Sequence, residues 1–153
     1  MGTITFWPFS QRKTQRQPRC AIVIGSSRFR YYVTSDVYHQ NHLQQLFGNR
    51  ANSWDDDYRC PALLVPQVAT ARPESVAVRI ADTTIGYFPL TGAREFLAAL
   101  RAFGADRAAC AAMVIGTWDP ALGDHTHFRV RLDVEMPFNF FELAADSEVR
   151  KLA

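Results

Sequence analysis

SVAVRIADTTIGYFPLTGAREFLAAL, residues Ser75–Leu100, reads as strand, turn, strand and helix in one run. Val76, Val78 and Ile80 fall on one side by period two. Ala81-Asp82 marks a turn, and "TTIGYF" forms the second strand. From Thr91 a helix begins in which Phe96, Leu100 and Phe103 recur at helical spacing, and Gly104 stops it. Gly86-Tyr87 at the strand end has two readings. It is a packing corner, or its glycine lets a partner approach the backbone while the tyrosine offers a flat face.

The flanking segments extend this β-rich pattern. Upstream, "CAIVIG" (20–25) is a β-branched strand and "RFRYYV" (28–33) alternates basic and aromatic residues. Gly25-Ser26-Ser27 between them predicts a hairpin. A helix follows, capped by Ser35 or Asp36, with Leu43, Leu46 and Phe47 on one face and Gly48-Asn49 at its end. "YRCPALLVPQ" (58–67) is a strand whose Pro61 and Pro66 suit an edge or a bulge. Downstream, "ACAAMVIGTW" (109–118) and "THFRVRLDV" (126–134) are strands joined by the turn-rich "DPALGDH". In the second, Phe128, Val130, Leu132 and Val134 share one side, and His127, Arg129, Arg131 and Asp133 share the polar other. About seven strands with two interposed helices predict a mainly β fold. It would be a small antiparallel barrel or curled sheet that the helices plug or flank.

A chain of 153 residues, 48% hydrophobic, fits one domain with tails. The segments expected are an arm over 1–18, a barrel over 19–138, and a tail or short helix over 139–153. No apolar run is long enough to span a bilayer, and the N-terminus lacks the order of a signal peptide. Cys20, Cys60 and Cys110 are too few and too widely spaced for a disulfide framework or a zinc cluster. Reduced thiols point to a cytoplasmic protein.

The net charge of +2 conceals an asymmetry. Residues 1–31 contain Arg12, Lys13, Arg16, Arg19, Arg28 and Arg30 and no carboxylate, so the remainder carries a net −4. A basic arm on an acidic body is a phosphate-binding feature or a solubilising tail. Within the arm, Phe6, Trp7 and Phe9 offer an apolar patch for the body, for another copy or protein partner, or for a membrane surface, for which the segment is short.

Catalytic and metal-binding signals are weak. No nucleophile elbow, phosphate loop or dinucleotide fingerprint occurs. Asp55-Asp56-Asp57 has no ligand spacing and reads as a solvated loop. His39 and His42 share a helix face, and His125 and His127 share a strand face, but nothing brings the pairs together. The expectation is a protein without catalytic residues, metal or cofactor. What remains is aromatic residues among arginines: Arg28 to Tyr32 in one run, and Tyr38, Tyr87 and Trp118 at element ends. Such residues stack bases and hold phosphates in single-strand binders; equally, they close and solvate a barrel.

Four pieces in order, "VTSDVYHQNHLQQLFG", "YRCPALLVPQ", "ESVAVRIADTTIGYFP" and "CAAMVIGTWD…HFRVRLDV", resemble the bacterial stand-alone HIRAN-type proteins over about residues 32–135. The resemblance implies an OB-like β-barrel with two helices and a role on DNA, including single-strand ends with a free 3′-hydroxyl. It implies that Tyr38 occupies the place of a nucleotide-stacking tyrosine. The family's "NPYD" loop reads Ala69-Thr70-Ala71-Arg72 here, so its stacking tyrosine and hydroxyl-binding aspartate are replaced, while Arg72 can meet a phosphate. The expected nucleic-acid-binding residues are therefore Arg28, Arg30, Tyr38, Arg72 and Tyr87, with single-stranded DNA as the partner. The alternative is a protein-interaction module on the same scaffold.

Overall fold

The structure is a computed structural model that describes residues 19–48, 58–67 and 74–142. The arm over 1–18, the Asp55-Asp56-Asp57 run and Arg72 lie outside the described residues.

The Ser75–Leu100 run folds as its pattern requires. β4 (Val76–Ile80) and β5 (Thr83–Tyr87) are antiparallel around Ala81-Asp82. Both turn residues take positive φ, 49° and 62°, the twist that a two-residue hairpin needs. Arg79 Nη2 clasps the turn by donating to the Asp82 carbonyl at 2.7 Å. α2 (Leu90–Phe103) follows, and Gly104 ends it at φ +83°, its N–H donating to the Leu100 and Arg101 carbonyls. α1 (Val37–Phe47) is capped by Asp36, whose carboxylate accepts from the His39 N–H at 2.9 Å.

The remaining strands are β1 (Cys20–Val23), β2 (Tyr31–Tyr32), β3 (Tyr58–Pro66), β6 (Arg107–Asp119), β7 (Asp124–Leu132) and β8 (Phe140–Glu142). The main path runs β2-β7-β6-β3-β4-β5. One bridge, Thr34 to Tyr87, joins the continuation of β2 to β5 and brings the two ends of the path together. The result is a mainly β fold, a small, curled OB-like barrel. Leu43 and Phe47 of α1 enter its core at one end, beside Tyr58 and Phe128. Phe96, Leu97 and Leu100 of α2 enter at the other, where Phe96 packs on Phe88 and Phe138 at 5.3 and 5.6 Å.

Four expectations are corrected. β1 and β2 form no hairpin: β1 lies parallel to β6 and antiparallel to β8, and β2 pairs with β7. Ser27 and Phe29 take positive φ, and Asp133 Oδ1 accepts from the Ser26 and Ser27 N–H groups, so the connecting loop folds onto β7 instead. β3 contains no bulge, because its register with β6 is continuous from Tyr58 to Leu64. Pro61 is tolerated because β4 pairs with β3 only from Leu63 onward, leaving a local edge there. His125 and His127 do not share a face. A register shift opposite, between Ile115 and Thr117, and φ +51° at His127 leave His125 buried and His127 exposed. The tail or short helix expected over 139–153 begins instead as strand β8, which pairs with β1; residues 143–153 lie outside the described residues.

Gly86 answers the question its neighbour raised. At φ +153°, a Cβ there would lie 2.5 Å from the Thr34 carbonyl oxygen and 2.5 Å from Val33 Cγ1. The close approach is by the chain's own strand, so the glycine serves barrel closure.

Candidate nucleic-acid interface

Barrel closure and the α1 cap bring Tyr38 and Tyr87 together. Tyr87 ends β5, and its backbone exchanges hydrogen bonds with Thr34 at 2.8 and 2.9 Å. Two residues on, Asp36 starts α1, which points His39 at the Tyr87 ring with centroids 5.5 Å apart. The Tyr38 ring is 5.9 Å from that of His39 and 4.4 Å from that of His42. His42 Nδ1 is 3.2 Å from the Thr84 carbonyl, to which it donates in the matching tautomer. The four rings form a ledge whose inner member, His39, is buried while Tyr38 and Tyr87 are 65% and 38% exposed. The three ring contacts are edge-on, with interplanar angles of 69°, 64° and 79°, so each ring is buttressed by its neighbour.

Gln40 fixes the height of the ledge. Its amide donates to the Phe128 carbonyl at 2.7 Å and accepts from the Phe128 N–H at 2.9 Å, imitating a neighbouring strand. Gln44 adds a hydrogen bond to Asp124 at 3.0 Å. Helix α1 is thereby held to β7 as well as to the core. Asp36 is the charge at this corner. The backbone N–H of His39 holds its carboxyl below the ordinary value of 3.8.

Arg28 and Arg30 lie elsewhere, in the β1–β2 loop. Both are exposed on either side of buried Phe29. Arg30 is 4.0 Å from Glu135, which also accepts from the Ser26 hydroxyl. They make no contact with the ledge. Arg72 lies outside the described residues. Three further arginines lie on the outward face of the sheet, Arg59 and Arg129 exposed and Arg131 half-buried. The alternation in "HFRVRLDV" reveals the outward side of two of them, but no local signal links them to Arg59.

Among the described residues, no group of three or more His, Cys, Asp or Glu side chains could hold a metal ion. No helix there is long and apolar enough to cross a membrane. Burial pushes the Cys110 thiol well up. Trp118 is half-exposed on the β6–β7 hairpin, its ring 5.2 Å from that of His125. A shallow apolar trough of about 490 Å³ lies between β1, β3, β6 and β8, lined by Ile22, Pro61, Ala109, Ala111 and Phe141. Comparison with family models, curated proteins and solved structures finds no match.

Proposed function

We propose that this chain is a non-enzymatic, HIRAN-like module that binds single-stranded nucleic acid, with DNA as the expected form. The observation that carries the reading is the ledge. Two exposed tyrosines flank a buried histidine, and both are held by backbone hydrogen bonds rather than by a mobile loop. A base stacked on either ring loses little entropy, because the platform is already ordered. Arg28, Arg30 and Arg72 are the cations expected to meet the backbone. The replaced "NPYD" loop removes the means of gripping a terminal hydroxyl, so the strand is held along its length and not by its end.

Anisotropy titration of labelled single strands tests this. Tyr38→Ala and Tyr87→Ala should each weaken binding roughly 5- to 150-fold, the worth of one stacked base. Strands with free and blocked 3′ ends should bind alike. Unchanged affinity in both tyrosine variants defeats the reading.

The apolar trough favours a second reading, a protein-interaction module for a peptide bearing apolar side chains. A complex that survives high salt, is lost in Phe141→Ser and is indifferent to Tyr38→Ala would favour it.

A further inference from the structure

Resting on the single-strand reading above, we infer that the exposed face of β3, β6, β7 and β2 is a phosphate track for the strand whose base rests on the tyrosine ledge. Strand register supplies the site. Arg59 on β3 lies opposite Met113 on β6, Met113 opposite Arg131 on β7, and Arg131 opposite Tyr32 on β2. Partners across a ladder point to the same face, so these four residues form one row. Arg59 and Arg131 are two strands apart, about 10 Å. Arg129 is on the same face, about 7 Å along β7.

The track connects to the ledge. Val33 N–H donates to the Val130 carbonyl at 2.9 Å, so the β2–β7 register continues and sets Thr34 opposite Arg129. Thr34 is the residue that bridges to Tyr87. At the far end, the Arg59 guanidinium lies over the Phe29 ring at 5.1 Å, which places the loop carrying Arg28 and Arg30 beside it. The face therefore runs from that loop through Arg59, Arg131 and Arg129 to Tyr87.

Its charge is available. Among the described residues, none of Arg28, Arg59, Arg129 and Arg131 is in an ion pair. The nearby carboxylates keep their charge but are turned to the loop: Asp133 accepts from the Ser26 and Ser27 N–H groups, and Glu135 accepts from the Ser26 hydroxyl and lies 4.0 Å from Arg30, which it partly neutralises. Arg131 is ordered by an aromatic partner rather than by an anion. Its guanidinium lies 4.6 Å from the Tyr32 centroid and donates to the Tyr32 hydroxyl. That contact fixes the cation without neutralising it. The ledge has the opposite sign, since Asp36 stands exposed beside Tyr38 and disfavours a phosphate there. A strand stacked on the ledge must meet its backbone charge elsewhere, and the arginine row is the adjoining cationic surface.

The probe is a labelled oligothymidylate of about 12 nucleotides, titrated over a series of salt concentrations. Each phosphate contact on a single strand contributes about 0.7 to the slope of log affinity against log salt. The variant R59Q/R129Q/R131Q should lower that slope by about 2 and weaken low-salt binding at least tenfold. The corresponding triple lysine variant should keep most of the slope. Should R131Q unfold the protein, seen by circular dichroism, R59Q/R129Q carries the test with a slope lowered by about 1.4. Y38A/Y87A should lower affinity with the slope unchanged. Normal slopes in the glutamine variants, with weak binding by Y38A/Y87A, overturn the track alone. Weakened arginine variants with unaffected tyrosine variants overturn the ledge, and with it the single-strand reading as proposed above, and leave the row only as a general phosphate surface. A wild-type protein that binds no oligothymidylate at low salt overturns both.

Discussion

Gly86→Ala is the sharpest perturbation of the closed barrel. The new methyl would lie 2.5 Å from both the Thr34 carbonyl oxygen and Val33 Cγ1, and φ +153° is poorly suited to an L side chain. Relief requires the Val33–Thr34 segment to move away. That movement breaks the two hydrogen bonds between Thr34 and Tyr87, at 2.8 and 2.9 Å. Backbone strain costs about 1–3 kcal/mol. Each lost hydrogen bond adds about 1 kcal/mol. The sum, about 3–5 kcal/mol, is a large share of the 5–15 kcal/mol that holds a typical domain folded. It corresponds to a fall in Tm of about 6–20 °C for a domain of this size. Urea denaturation gives the free energy, and amide hydrogen exchange gives the location. Protection should drop first at Thr34 and Tyr87, while the β3–β6–β7 ladder remains protected. A loss under about 1 kcal/mol with both amides still protected would refute the argument that this glycine exists for closure. The same variant should weaken the proposed single-strand binding, because Tyr87 leaves its place beside His39.

Gln40→Ala removes both amide contacts to Phe128 and should cost about 2 kcal/mol in urea denaturation, with β7 exchange rising around Phe128; a change below about 0.5 kcal/mol would mean water replaces the amide without loss. Asp36 has a folded-state pKa below its unfolded value, so its stabilisation is complete above the ordinary carboxylate range and disappears as pH falls through 3.8 toward the lower folded value. Thermal melts in acid should therefore show a shallower loss for Asp36→Asn, which retains a capping oxygen but no charge. Cys110 is buried and its thiol is pushed up, first by desolvation and then by Asp133 and Cys60. In the folded protein at about pH 8 it should resist alkylation that reaches Cys20, as read by peptide mass spectrometry.

Much of the fold was legible because its signals are local. The β4–β5 hairpin follows from period-two Val76, Val78 and Ile80 meeting a two-residue turn. Both helices announce their ends, α1 by the Ser35-Asp36 pair, of which Asp36 is the cap, and α2 by Gly104. The inward side of β7 is written in Phe128, Val130 and Leu132. The site was legible only in parts. Tyr38 and Tyr87 were recognisable as flat residues at element ends, and Arg28 and Arg30 as cations in an aromatic run. Their separation onto two regions was not, because it depends on where the β1–β2 loop settles on Asp133.

Sequence by itself therefore determined the type of most elements, the ends of both helices and the inward side of β4 and of β7 from Phe128 onward. These follow from backbone geometry within a few residues. Tertiary structure alone decided partners and register: β1 beside β6 rather than β2, Pro61 at a local edge, His125 buried while His127 is exposed, and Arg59 in line with Arg131. Register is set by the joint packing of distant segments, and a one-residue slip would reverse every side chain of a strand. The Thr34–Tyr87 bridge depends on the same long-range choice, which is why the residues that make the ledge meet only in the closed barrel.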